Sequence, residues 1–137
     1  MTKLILGNHT AVFAPRSEQD RIRNFYRDVL GATSRVESDS VDRFQLGETH
    51  FCFVWHEEAL EPKHFLKAIY LELATDNLDA MRRKIVDFGV SLVDIPDPHL
   101  YFQAPGGQVF KLVALDEDLT LYEESESARP GAAYVAA

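Results

Sequence analysis

The feature that most constrains the fold of this chain is an internal repeat in which corresponding residues lie 59 positions apart. Helix-start residues, an apolar helical stripe and a turn glycine all align in this one register. Matched pairs include Ser17 with Asp76, Ile22 with Met81, Arg23 with Arg82, and Gly47 with Gly106. A shared spacing of this kind predicts two copies of one supersecondary unit, each folding in the same way.

Each copy reads as a strand, a helix and three further strands. In the first copy the strand segment is 4–14, a capping pattern at Ser17 opens a helix that ends at Gly31, and the later strands are 32–37, 41–46 and 50–56. In the second copy the strand is 67–74, the helix runs from Asp76 to Gly89, and the strands are 90–95, 99–103 and 108–115.

This pattern predicts one domain over residues 1–115, followed by an acidic tail. Module one covers 4–56, a linker covers 57–66, and module two covers 67–115. Residues 116–137 hold six carboxylates against one arginine, and their low hydrophobicity favours a flexible tail or a loosely docked strap over a second folded unit.

Composition excludes several classes of protein. The net charge of -8 argues against a nucleic-acid partner, because phosphates require a basic face. No apolar run approaches the roughly 18 residues that cross a bilayer, and the N-terminus shows no secretory cleavage pattern. Cys52 is the single cysteine, so neither an internal disulfide nor a multi-cysteine zinc site is expected. We therefore expect a cytoplasmic protein without a membrane partner.

Three local motifs carry a family resemblance. They are the first-strand segment His9–Val12, the helix ending Phe25-Tyr26-Arg27-Asp28-Val29-Leu30-Gly31, and the turn Ala104-Pro105-Gly106-Gly107 before the last strand. Together with the repeat, they make residues 4–115 similar to the vicinal oxygen chelate superfamily, which includes glyoxalase I, bleomycin-resistance proteins, fosfomycin-resistance enzymes and extradiol dioxygenases. The resemblance implies an α+β fold of two tandem βαβββ modules forming curved mixed sheets around a central cavity. It also implies a homodimer.

The resemblance also implies four cavity positions that commonly hold a metal ion. In the repeat register these positions read His9, Cys52, Ala68 and Lys111. Alanine has no donor atom, and a lysine ammonium repels a divalent cation. The remaining two ligands fall short of the three protein ligands typical of catalytic zinc. We therefore expect no metal cofactor.

Glu72 keeps the metal alternative open. Shifting the first strand of module two by two residues would present Tyr70, still a poor zinc ligand, in place of Ala68, but Glu72 on the same face offers a third oxygen donor. A divalent ion (Zn, Ni, Mn or Fe) bound through His9 is the alternative to a metal-free cavity.

The alternation of the strands supports the positions that the resemblance implies, because it turns Phe51, Phe53, Phe110 and Leu112 toward the helices and Cys52 and Lys111 the other way. The predicted catalytic residues are His9, Glu72 and Lys111. The predicted ligand contacts are Phe13, Cys52 and Tyr70. Each has a structural alternative: His9 as a buried hydrogen-bonded histidine, Cys52 as a small apolar residue, and Lys111 as a lysine that simply pairs with Glu72.

The leading functional hypothesis is binding of a small organic ligand in a metal-free cavity, as in glyoxalase-like and bleomycin-resistance-like proteins. The ligand would present an anionic or polar oxygen to Lys111 and His9, with apolar bulk on Phe13 and Tyr70. One alternative is a metal-dependent lyase, isomerase or dioxygenase using His9, and another is an accessory protein that meets a partner through its acidic tail.

Overall fold

A computed structural model describes residues 2–117, and it contains two βαβββ modules that confirm the predicted fold class. The chain divides into two compact units, 1–60 and 61–137, and this boundary falls inside the predicted linker 57–66. Each unit holds one four-stranded mixed sheet. Most of the predicted acidic tail, residues 118–137, lies outside the described residues.

The first unit is built on sheet 1, whose strands lie in the order β1-β4-β3-β2. Strand β1 runs parallel to β4, and the other two pairings are antiparallel. The strands are β1 (His9–Ala14), β2 (Thr33–Glu37), β3 (Val41–Leu46) and β4 (Thr49–Trp55). Strand β1 begins later than predicted, and Leu4, Ile5 and Leu6 lie exposed before it.

A helical segment connects β1 to β2 in the first unit. It starts as a 3-10 turn (Arg16–Glu18), continues as α1 (Gln19–Arg23) and ends in a π-helical turn (Asn24–Val29). The predicted Ser17 cap is wrong, because Ser17 already lies inside the first turn and no side-chain hydrogen bond caps that start. The wide final turn holds Phe25 and Tyr26, both fully buried.

The second unit repeats this topology in sheet 2, with the strand order β5-β8-β7-β6. A 3-10 turn (Pro62–Phe65) precedes β5 (Tyr70–Thr75), α2 (Leu78–Phe88), β6 (Ser91–Leu92), β7 (Leu100–Gln103) and β8 (Val109–Ala114). The Asn77 side chain caps α2 by accepting from the Ala80 amide at 3.2 Å. Gly89, at φ 91°, ends the helix in the left-handed conformation that glycine tolerates best.

The first strand of the second module departs from the 59-residue register. His9 is the partner of His50, whereas Tyr70 is the partner of Val109, so β5 lies two residues further along than the repeat predicts. Ala68 lies outside the strand because its amide donates to the Phe65 carbonyl in the turn that follows Pro62–Phe65. A two-residue shift preserves the side-chain alternation. Tyr70, and not Ala68, is therefore the counterpart of His9.

Each sheet buries one face under its helix. On sheet 1, Tyr26 stacks on Phe44 and Phe51 and meets Phe53 edge-on. On sheet 2, α2 packs against β8 and buries Ile85. We call the opposite side of each sheet its far face. The far face of sheet 1 carries His9, Ala11, Phe13, Val41, Arg43, Gln45, His50, Cys52 and Val54, and that of sheet 2 carries Tyr70, Glu72, Ala74, Tyr101, Gln103, Val109, Lys111 and Val113.

The helices of the structure bear on the prediction that no segment crosses a membrane. Between residues 2 and 117, no helix combines the length and the apolar character needed to cross a bilayer.

Candidate functional site

Lys111 lies at the centre of the far face of sheet 2. It belongs to β8, which is flanked by β5 and β7, and only 1% of the residue is exposed. Its Nζ lies 3.6 Å from Glu72 Oε2, and the two residues are direct partners across the parallel β5–β8 pair. The Tyr101 ring lies opposite, with its centroid 6.0 Å from Nζ. A carboxylate and an aromatic ring therefore both neighbour the buried ammonium.

Tyr70 and Tyr101 form the aromatic part of this face. Their rings meet edge-to-face with centroids 5.6 Å apart. The Tyr101 hydroxyl donates to Asp97 Oδ2 at 2.5 Å, which fixes the orientation of the ring. Tyr70 is half-buried, and the Glu72 side chain is 44% exposed. Three predicted site residues, Tyr70, Glu72 and Lys111, thus lie on one face, with the carboxylate at its solvent side.

The far face of sheet 1 holds the other three predicted residues, but they are spread along it. His9 is exposed and lies at one end of β1, where its Nδ1 is 2.9 Å from Asn8 Oδ1. Cys52 is half-buried, carries a free thiol and pairs with Ala11, one pleat further along. Phe13, 59% exposed, lies at the opposite end with its ring edge-on to His56. The catalytic and ligand-binding roles of these residues stay predictions.

His50 is a neighbour of His9 that is absent from the residues predicted for the site. It lies on the same face of sheet 1 as Cys52. In the structure it is half-buried, and its ring stacks on His9 with centroids 4.4 Å apart and planes 9° apart. Burial lowers the pKa of His50, and the charges of His9, Arg43 and Arg35 lower it further. The parallel register between β1 and β4 brings the two histidines together.

The donor set does not fit a divalent-metal site. Among residues 2–117 no cluster of three or more His, Cys, Asp or Glu side chains is arranged to hold a metal ion. The imidazoles of His9 and His50 stack face to face, and Cys52 lies one pleat away from His50. In sheet 2 the counterpart of His9 is Tyr70, and Lys111 brings a cation to the same face. We therefore derive no chemistry through a metal.

A second polar cluster surrounds His99, a residue to which the sequence assigned no role. Its Nδ1 lies 2.7 Å from Asp97 Oδ1, and its Nε2 contacts Glu117 Oε2. Burial opposes a charge on the ring, but these two carboxylates outweigh it and raise the pKa of His99. Burial likewise opposes a charge on Asp97, yet hydrogen bonds from Tyr101 and His99 lower its pKa. His99 thereby ties the β6–β7 loop to the residues after β8.

A cavity of about 210 Å³ adjoins this cluster on the helix side of sheet 2. It is lined by Leu78, Arg82, Pro98, His99, Leu100, Leu112 and Glu117. It therefore lies under α2, whereas Lys111 and Glu72 lie on the far face of the same sheet. None of the predicted site residues lines it.

Comparison with known proteins places this geometry in a family. The family model described as Glyoxalase/Bleomycin resistance protein/Dioxygenase superfamily matches residues 8–107. No curated protein sequence matches the chain.

Three solved structures with this fold are described as proteins of different function. A glyoxalase family protein from Bacillus anthracis has a TM-score of 0.63 at 19% identity, over 82% of this chain and 97% of its own. A fosfomycin resistance protein from Listeria monocytogenes, complexed with Mn(II) and 1S,2S-dihydroxypropylphosphonic acid, has a TM-score of 0.67 at 16% identity, over 87% and 99%. An antibiotic binding protein from a Streptomyces species has a TM-score of 0.59 at 18% identity, over 83% and 98%. At these identities the likeness shows the fold alone.

Proposed function

This chain belongs to the glyoxalase/bleomycin resistance protein/dioxygenase superfamily, and from that premise we propose that it binds a small organic molecule at the far face of sheet 2 without a resident metal. The ligand presents an anionic or strongly polar oxygen to Lys111. Its apolar part lies against the ring of Tyr70. Whether a reaction follows is a separate question, because this superfamily fold supports many chemistries.

The observation that carries the proposal is the burial of Lys111 beside a half-exposed carboxylate. A buried ammonium is costly unless an anion compensates it, and Glu72 supplies that anion at 3.6 Å. This separation exceeds the roughly 2.7–3.2 Å of a good hydrogen bond. Because the Glu72 side chain is 44% exposed, it can turn toward water while a ligand oxygen takes its place. The ligand then forms the stronger charge-assisted hydrogen bond with Nζ.

Small ligands among the structural relatives support the same class of function. The fosfomycin resistance protein is complexed with a hydroxylated phosphonic acid, and the Streptomyces protein is described as binding an antibiotic. In the present chain, we propose that the Glu72 carboxylate moves away from Lys111 when the ligand binds. If a reaction occurs, this carboxylate accepts a proton from the ligand. His9, Cys52 and Phe13 on sheet 1 stay predicted site residues and are no part of the site proposed at Lys111.

The test compares Lys111→Met with Lys67→Met, an exposed lysine in the same unit. Methionine preserves the apolar stem but removes the charge. The probes are 1S,2S-dihydroxypropylphosphonic acid and a panel of aromatic carboxylic acids, and binding is followed by ligand-observed NMR. We expect saturable binding that weakens at least about tenfold in Lys111→Met and is unchanged in Lys67→Met. Unchanged affinity, with only stability altered, would make Lys111 structural.

Elemental analysis of the purified chain tests the metal-free part of the proposal. We expect well below one Zn, Ni, Mn or Fe per chain. A stoichiometric ion that disappears in His9→Ala would contradict it and would favour the metal-dependent enzyme instead.

A further inference from the structure

The far face of sheet 1 gathers basic side chains at one end. His50 is the direct partner of His9 on β1 and of Gln45 on β3. Arg43 is two residues from Gln45 on the same face, diagonal to His50. Arg35, at the register shift in β2, donates from Nε to Gln45 Oε1 at 2.8 Å and so reaches the same end. We call His9, Arg35, Arg43 and His50 the basic cluster.

No carboxylate of β1–β4 shares this face. The two acidic residues of these strands, Glu37 and Asp42, are partners on the opposite, helix-covered side. There they pair with arginines of the helical segment, Asp42 with Arg23 and Glu37 with Arg27. Although the whole chain carries a net charge of -8, the far face of sheet 1 is positive.

The cluster also contains buried nitrogen atoms that the described residues do not satisfy. Nδ1 of His50 and Nε of Arg43 are shielded from water, and neither has a hydrogen-bond partner among residues 2–117. The Arg43 Nε always carries a proton, and the His50 Nδ1 carries one in one of its two neutral tautomers and in the charged ring. Because unsatisfied buried donors are costly, two such atoms at one end of one face point to a missing acceptor that both can reach.

The neighbouring His9 is already oriented. Its Nδ1 lies 2.9 Å from Asn8 Oδ1, and the Asn8 amide donates to the Glu48 carbonyl at 2.8 Å. The stacked ring of His50 is held against it, 4.4 Å away between centroids. The two histidine rings of the cluster are therefore preorganised.

We propose that the basic cluster of sheet 1 is a binding site for an oxyanion, the phosphate, phosphonate or carboxylate group of a small molecule, with Arg43 and His50 as its buried donors. Arginine suits this role because its planar guanidinium matches the oxygens of such groups. The site lies on β1–β4 alone, so this proposal can be correct whether or not Lys111 on sheet 2 binds a ligand.

The test is an NMR titration of the full chain with inorganic phosphate, at constant ionic strength set by chloride, following the histidine ring signals. We expect saturable shifts of the His9 and His50 ring signals. Arg43→Gln should weaken phosphate binding at least about tenfold, while Arg83→Gln, an exposed arginine of α2 with the same charge change, leaves it within about twofold. His50→Gln is the second variant if Arg43→Gln does not fold.

Benzoate is a second probe that separates the possible ligand groups. Saturable binding of either anion at the cluster supports the site and shows which group it prefers. Shifts that fail to saturate with both anions, or an equal effect of Arg43→Gln and Arg83→Gln, would overturn the proposal, because they would reduce the effect to general charge screening. The ring signals of His9 and His50 report on sheet 1, whereas Lys111 lies on sheet 2, which keeps the two proposals distinguishable.

Discussion

Lys111 and Glu72 form an ion pair whose two ends differ in their access to water. They are direct partners across β5 and β8, and Nζ lies 3.6 Å from Oε2. The lysine side chain is 2% exposed, whereas the glutamate side chain is 44% exposed. The pair therefore neutralises a buried cation with a carboxylate that remains in contact with solvent.

This asymmetry predicts unequal effects of neutralising each partner. Glu72→Gln leaves a buried ammonium without that carboxylate and should lower the free energy of unfolding by about 1–2 kcal/mol, a value reduced by the exposure of Glu72. Lys111→Met replaces the cation with an apolar chain and should change stability by less than about 1 kcal/mol. Urea denaturation of both variants and the double variant measures the coupling. A larger loss in Lys111→Met would contradict this view of the pair.

Beneath the helix of the first unit, Asp42 should be the most sensitive polar residue. It is fully buried and accepts two hydrogen bonds from Arg23, at 2.7 and 2.9 Å, and one from the Ser38 amide. Asp42→Ala removes all three and should destabilise the protein by about 2–4 kcal/mol. Asp39→Ala, in the exposed turn nearby, serves as the control in the same urea titration. Similar losses of stability in the two variants would contradict a stabilising role for the Asp42–Arg23 ion pair.

The His99 cluster predicts a pH window for stability. The pKa of His99 is raised, so its contribution is fully present below its ordinary value of about 6.5 and is lost as the pH rises through the folded-state pKa. The pKa of Asp97 is lowered, so its contribution is present above its ordinary value and is lost as the pH falls through the folded-state pKa. The cluster should therefore stabilise the fold most in the mildly acidic range.

His99→Gln measures that contribution directly. The difference in unfolding free energy between wild type and His99→Gln should be larger at about pH 6 than at about pH 9. His64→Gln, an exposed histidine of the same unit, should show no such trend. Because Arg82 lines the adjoining cavity with His99 and Glu117, Arg82→Gln is included to separate its charge from that of the histidine. A difference that does not depend on pH would rule out the charged form of His99.

The turn before β8 should not accept a side chain at Gly107. A Cβ there would lie 2.7 Å from Phe65 Cδ2, and the backbone φ of +117° is one that other residues rarely adopt. Gly107→Ala should destabilise the protein by about 2 kcal/mol or more. Gly7→Ala, where a Cβ would meet nothing within 4 Å, should change stability by less than about 0.5 kcal/mol. Thermal denaturation of both variants provides the comparison.

The predicted homodimer remains to be tested in solution. Several apolar side chains are strongly exposed, including Leu6 at 97% and Ile69 at 63%, and burying such side chains between two copies would favour association. Sedimentation velocity at micromolar concentration should show a dimer. Leu6→Ser should shift the equilibrium toward monomer if the N-terminal segment takes part, and a monomeric wild type would contradict the prediction.

The alternation and spacing of residues were sufficient to predict the modules and the two faces of their sheets. Phe51 and Phe53 lie on the helix side and Cys52 on the far side, as period-two alternation requires. The same rule placed Glu72 and Lys111 on one face of sheet 2. These features depend on neighbours within one strand or one turn, so the local sequence determines them.

The register between distant segments was decided only by the tertiary structure. The turn at Pro62–Phe65 delays β5 by two residues, which makes Tyr70 rather than Ala68 the counterpart of His9. The stack of His9 on His50 and the contact of His99 with Glu117 join residues that are far apart in the chain. Period-two alternation is unchanged by a shift of two residues, so it cannot fix which residues meet. The register is determined by strand pairing and by the loops that set where each strand begins.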